Sequence, residues 1–254
     1  MGEKSNGGFH YVTLPNGWEV GRFAVLEELE GLVHAVTTRR GPDPQTVRNA
    51  PSAAAAQLAD TLNLRGAAFC EQVHGRTVLA AGSPGCVDGA DGLVTNVASL
   101  GVMGRSADCP LLLVVDMLCG AVGMAHASWR GTAGRIASEL VLRMACEYDS
   151  RPEDLLAVIC PSAGPCCYEV GQDVQRVVVG SVGRHAERFF RPHKNGKLLF
   201  DLWAANRDEL VHSGLEESNV HVAGVCTICS EGKYPSHRAE GDSAGRFAAV
   251  IARL

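Results

Sequence analysis

Two apolar runs, Leu111-Leu-Leu-Val-Val115 and Ala121-Val-Gly-Met-Ala125, follow one another and end on a histidine, His126. Continuous apolar stretches of this length, without alternation, read as buried strands. A buried strand that ends on a polar group has to give that group a partner. Ser128, Trp129 and Arg130 come next, and Gly131 opens a helix-like segment. Two other segments offer partners of suitable chemistry, Gln72-Val-His-Gly75 and Ala107-Asp-Cys-Pro110. His74, Cys109 and His126 together make two imidazoles and one thiol, with no fourth ligand. Catalytic zinc sites use three protein ligands and keep one position open, whereas structural sites are closed by four. The alternative for each residue taken singly is a satisfied core histidine or an inert thiol, and spacings of 35 and 17 residues are not in themselves a zinc signature.

The chain length of 254 residues fits one large domain better than two small ones. Hydrophobic residues make up 46% and charged residues 20%, enough to bury a sizeable core. A net charge of −5 argues against a protein that grips nucleic acid through a basic face. No 18-residue apolar run is present, so no membrane span is expected. The first eight residues read as a flexible, glycine-rich lead without the apolar core of a signal peptide, and Asn6 breaks a myristoylation pattern. Ten cysteines without an export signal read as reduced thiols in a cytoplasmic protein, most of them filling the core as small hydrophobes. Monomer and homodimer are both open.

Strands are expected at 9–13, 32–38, 67–72, 76–80, 92–96, 111–116, 120–126, 155–159 and 219–225. Helices are expected over 51–63, 132–148, 171–180 and 201–210, with Asp201 as an N-cap and Gly214 as the stop. Residues 181–197 read as a polar, basic connection, and 244–254 as a closing helix. Short strands mixed with four or five helices give an α+β fold, mixed β-sheets flanked by helices in a single domain over 9–254.

The words around the trio are more specific than its spacing. Gln72-Val-His-Gly75, Ala90-Asp-Gly-Leu-Val-Thr95, Ala107-Asp-Cys-Pro110, His126-Ala-Ser-Trp-Arg-Gly131 and Gly164-Pro-Cys-Cys-Tyr-Glu-Val-Gly171 resemble successive motifs of the YfiH family. Asp201-Leu-Trp-Ala-Ala-Asn206, Cys226-Thr227, Ser236-His-Arg238 and Gly245-Arg246 continue the likeness, which runs in order over roughly residues 30–254. Members have been called laccase-like polyphenol oxidoreductases, purine nucleoside phosphorylases and peptidoglycan editing factors. The resemblance implies a fold of the YfiH or cytotoxic-necrotizing-factor-like type and zinc bound by His74, Cys109 and His126. It also implies phosphorolysis of adenosine, inosine, guanosine and methylthioadenosine with some adenosine deamination, a small nucleoside and phosphate being the partners. Departures fall at Ser128, where the family has glycine, at His237 in place of an aromatic, and in a shortened loop after Arg39 where Asn49 alone matches the family's Asn-Arg pair.

Around such a centre the sequence offers further candidates. Asp91 and Asp108 are carboxyls that either manage a proton or orient a metal-bound histidine, the bland reading being backbone capping. Cys109 is also a candidate nucleophile with His126 as base, the basis of a cysteine–histidine hydrolase acting on cell-wall precursors. Arg39, Arg130, Arg238 and Arg246 are candidates for phosphate, with Gln72 and Ser128 as substrate contacts; Trp129 stacked on Arg130 is the structural alternative. The same ligands would take Cu2+ avidly in vitro, although nine histidines are few for a multicopper oxidase. Cys226-Thr-Ile-Cys229 is a lone C-x-x-C that Cys160, Cys166 and Cys167 do not complete at zinc-finger spacing, and it reads as packing.

Overall fold

The apolar run Leu111–Asp116 is a strand with every residue buried, and its alternate side chains enter two different cores. Leu111, Leu113 and Val115 pack with Val36, Val102, Phe247 and Ile251, whereas Leu112 and Val114 pack with Ile136, Leu140 and Leu210. This two-sided burial is why the run shows no polar alternation. The computed structural model describes residues 7–254. Most of the expected flexible lead, residues 1–6, lies outside the described residues; the Gly7 and Gly8 carbonyls accept from the amides of Val25 and Ala24.

Two large sheets lie face to face. One has seven strands in the order Phe9–Thr13, Glu19–Phe23, Leu32–Thr37, Phe247–Arg253, Leu100–Ser106, Gly66–Cys70 and Gly85–Val87. The other has six: Val220–Val222, Leu155–Ile159, Leu111–Asp116, Val122–His126, Gly92–Thr95 and Val78–Ala80. Helix Pro51–Thr61 covers the outer face of the first sheet through Ala54 and Leu58, and helices Ile136–Tyr148 and Leu202–His212 cover the second. A three-stranded sheet of Glu169–Val170, Leu198–Phe200 and Phe190–Pro192 flanks them. The fold is α+β, as the order of elements predicts.

Four expectations are corrected. Residues 244–254 are not a helix: Phe247–Arg253 is a strand in the middle of the seven-stranded sheet, paired antiparallel with Leu32–Thr37 on one side and Leu100–Ser106 on the other. Its alanines suit a helix by propensity, but burial on both faces removes the period that would announce a strand. The stripe at 132–148 is two helices, Trp129–Ala133 and Ile136–Tyr148, broken where Arg135 takes a left-handed φ of 64°. The connection at 181–197 contains the strand Phe190–Pro192 of the small sheet. Among the cysteines only Cys70, Cys160 and Cys226 are buried, so core filling accounts for a minority; no disulfide links any of the ten. No helix among the described residues is long and apolar enough to cross a membrane.

Candidate metal centre and arginine cavity

Register builds the centre. Val122–His126 pairs antiparallel with Leu111–Asp116 so that His126 faces Leu111, which sets Cys109 two residues beyond that pair. On its other side Ala125 faces Gly92, which sets Asp91 beside His126; the His126 amide donates to the Asp91 carbonyl at 2.7 Å. His74 and Cys109 each lie on a connection that leaves the seven-stranded sheet and enters the six-stranded one. The site therefore forms at the end of the sandwich where the chain crosses between sheets. Both crossings hold a left-handed residue that is not glycine, His74 (φ 62°) and Asp108 (φ 93°), a strain that surrounding contacts must offset.

The ligand atoms of His74, Cys109 and His126 all lie within 4.8 Å of one another, and the two imidazoles meet edge-on with centroids 5.0 Å apart. A tetrahedral ion with bonds of ~2.0–2.3 Å separates its ligands by roughly 3.3–3.8 Å, within small side-chain shifts of this arrangement. His126 Nδ1 lies 3.0 Å from Asp91 Oδ1, which commits Nε2 to the open side. Asp91 is fully buried and also accepts from the amides of His74 (2.9 Å) and Gly75 (2.7 Å). Burial works against its charge, but His126 and these amides outweigh it and hold the carboxyl below the usual range. Burial likewise disfavours the Cys109 thiolate; His126 and His74 overcome it and bring the thiol down to about 6. His126, which burial alone would lower, is carried up to about 9 by Cys109 and Asp91. Without an ion, thiolate and imidazolium hold each other; a cation placed between them would displace the proton.

Beside the trio is a cavity of about 210 Å³ lined by His74, Cys109, His126, Gln72 and three arginines, Arg48, Arg105 and Arg246. Gln72 extends the strand pairing, its amide giving to and taking from the Arg105 backbone at 2.8 and 2.9 Å. Arg48 and Arg246 are tied to the Ala244 carbonyl at 2.9 and 3.0 Å, and Arg105 to the Cys70 carbonyl at 3.2 Å. The buried Nε of Arg105 has no hydrogen-bond partner. Burial lowers the pKa of Arg105 and of Arg246, the latter further opposed by Arg48. Like charges that disfavour one another around a small cavity create demand for an anion.

The other expected contacts are engaged elsewhere. Arg39 pairs with Glu240, Arg130 stacks on Trp129 with Cζ 4.3 Å from the ring, and Arg238 donates to the Glu169 carbonyl while lying over Tyr168. Ser128 is buried and caps its helix by accepting from the Gly131 amide at 3.1 Å. Asp108 orients neither histidine: its carboxylate accepts from Thr227 Oγ1 (2.6 Å) and the Arg238 amide (2.7 Å). Of the candidates for phosphate and substrate only Arg246 and Gln72 line the cavity, where Arg48 and Arg105 join them. Arg105, a cation inside the apolar strand Leu100–Ser106 just before Ala107-Asp-Cys109, was the available signal.

The α+β fold brings two imidazoles and one thiol together where its two large sheets exchange chain, a donor set that could hold a metal ion. This chain belongs to the YfiH family: the family model described as multi-copper polyphenol oxidoreductase laccase matches residues 34–254. It is similar to purine nucleoside phosphorylase YlmD of Geobacillus stearothermophilus, 34% identical over 194 residues, 72% of this chain and 71% of that one. It is also similar to an adenosine deaminase of an unknown prokaryotic organism, 33% identical over 160 residues, 63% of this chain and 61% of that one. The crystal structure of the Bacillus licheniformis hypothetical protein YfiH superposes with a TM-score of 0.81 at 25% identity, covering 97% of this chain and 99% of the other.

Proposed function

We propose that this chain is a zinc-dependent purine nucleoside phosphorylase acting on adenosine, inosine, guanosine and methylthioadenosine, with adenosine deamination as a side activity. The convergence of Arg48, Arg105 and Arg246 on the cavity that also holds the metal-ligating trio carries this reading. The relatives named purine nucleoside phosphorylase and adenosine deaminase support it.

A zinc ion held by His74, Cys109 and His126 would supply a Lewis acid at the cavity wall. The arginine forks bind orthophosphate and fix one of its oxygens against the anomeric carbon of the pentose. The new carbon–oxygen bond forms as the glycosidic carbon–nitrogen bond breaks, and the base departs with the bonding electrons and takes up the proton that hydrogenphosphate gives up on becoming the sugar phosphate. Asp91, saturated by amides and held ionised, is a poor source of that proton; its role is to orient His126. Asp108 orients no histidine but holds the Thr227 and Arg238 segments against the Cys109 turn. The charge-rich, reduced-thiol cytoplasm is the compartment that suits such an enzyme.

A second reading rests on the mutual stabilisation of Cys109 and His126, which would make a thiolate nucleophile in metal-free protein. Alkylation separates the two: a zinc-held thiolate resists the reagent until a chelator is added, whereas a free nucleophile reacts at once. Incubation of adenosine with and without orthophosphate tests the main reading. Adenine with ribose 1-phosphate should form only when phosphate is present; inosine or free ribose as sole product rejects phosphorolysis.

A further inference from the structure

A second group of four cysteines lies outside the centre described above. Leu155–Ile159 and Val220–Val222 run parallel, Ile159 opposite Val222, and an isolated bridge between Ser162 and Cys226 prolongs the pairing into the following loops. That extension brings Cys166 and Cys167 from one loop against Cys226 and Cys229 from the other. All four sulfurs lie within 4.8 Å of one another, and Cys166 Sγ is 3.7 Å from Cys229 Sγ. A disulfide would require ~2.05 Å. Four thiolates around one ion at ~2.3 Å stand about 3.8 Å apart along each tetrahedral edge. The C-x-x-C is also shaped as a ligand turn: Cys226 Sγ accepts from the Gly164 amide at 3.2 Å and from the amides of Ile228 and Cys229.

We propose that Cys166, Cys167, Cys226 and Cys229 form a second, closed metal site that takes zinc through four sulfurs. On binding, the four thiols lose their protons to solvent and no electron is transferred. A soft, four-sulfur set selects zinc over oxygen-loving cations such as Mg2+. The site staples two loops that both hold the turn carrying Cys109: Thr227, between the cysteines of the C-x-x-C, bonds the Asp108 carboxylate, and the Ala163 amide donates to the Asp108 carbonyl at 2.7 Å. The proposal is independent of which reaction the first centre catalyses.

Metal analysis of the full chain, purified in reductant without chelator, is compared across wild type, His74→Ala/His126→Ala and Cys166→Ser/Cys229→Ser. Wild type should carry two zinc ions per chain and each double variant one. Refilling the stripped wild type with Co2+ should give the intense ligand-field absorption of a tetrathiolate, retained when His74 and His126 are removed; this readout requires no cysteine variant to fold. Cys166 and Cys229, although exposed, should resist thiol reagents until chelation. One ion per wild-type chain that disappears with the histidines, no tetrathiolate absorption, or a Cys166–Cys229 disulfide in protein kept from oxidants would each overturn the site.

Discussion

Asp91 holds His126 twice: its carboxylate lies 3.0 Å from the imidazole Nδ1 and its carbonyl accepts the His126 amide at 2.7 Å. One buried residue thereby sets both the backbone position and the ring orientation of a candidate metal ligand. Because the same carboxylate gathers the amides of His74 and Gly75, it also fixes the loop that delivers the second histidine.

Replacing this carboxylate should loosen the metal before it loosens the fold. Asp91→Asn leaves one acceptor oxygen where two are in use, and zinc affinity should fall about 10–100-fold in chelator competition. The lost bonds should cost about 1–3 kcal/mol of stability by denaturant titration. Since the folded carboxyl titrates below its unfolded value, its stabilisation is complete above about pH 4 and disappears as acid protonates the folded group. Unchanged zinc affinity would remove Asp91 from its orienting role.

Metal binding should release protons with a definite sign. In the metal-free centre Cys109 is down to about 6 and His126 up to about 9, so near pH 7.5 the thiol is ionised and the imidazole still carries its proton. Binding at the trio displaces that proton, and affinity should rise about tenfold per pH unit up to about 9, then level off. Calorimetry in buffers of different ionisation enthalpy, performed on the Cys166→Ser/Cys229→Ser variant, counts the proton directly. Affinity that falls as pH rises over this window would contradict the coupling.

The arginines divide into two groups. Arg246→Ala removes a charged donor from the cavity and should raise the KM for phosphate about 10–100-fold, with a smaller effect on the KM for nucleoside. Arg39→Ala and Arg238→Ala should leave the phosphate KM within about twofold, because both side chains are engaged away from the cavity, with Glu240 and the Glu169 carbonyl. The reverse pattern in steady-state kinetics would move the anion site.

Gly131 closes the His126-Ala-Ser-Trp-Arg motif for a steric reason. A Cβ there would stand 2.9 Å from the carbonyl oxygen of Gly75, the residue after His74. Gly131→Ala should push the helix and the His74 turn apart, at a cost of about 1–3 kcal/mol and with weaker zinc binding. Wild-type affinity and stability in this variant would show that the contact relaxes freely.

What could be read before the fold was known follows from how local each signal is. Leu111–Val115 announces a buried strand by itself, and Asp201 caps Leu202–His212 through a bond three residues away. His74, Cys109 and His126 stand out as candidate ligands because each sits in a distinctive word beside a strand end, and the fold brings their ligand atoms within 4.8 Å of one another. Phe247–Arg253 was not, since its alanines fit a helix and only its neighbours in the sheet make it a strand. Arg48 and Arg105 come from distant elements and meet only after folding. The four-cysteine cluster depends on a parallel pairing across more than sixty residues, Ile159 with Val222, which no local pattern records.

The most direct test follows ribose 1-phosphate released from adenosine and orthophosphate by zinc-replete wild type and by folded His126→Ala, side by side. Wild type should give adenine and ribose 1-phosphate in equal amounts, and the variant a rate lower by about a hundredfold or more. No sugar phosphate from the zinc-replete protein, or an undiminished rate without His126, would contradict zinc-dependent phosphorolysis.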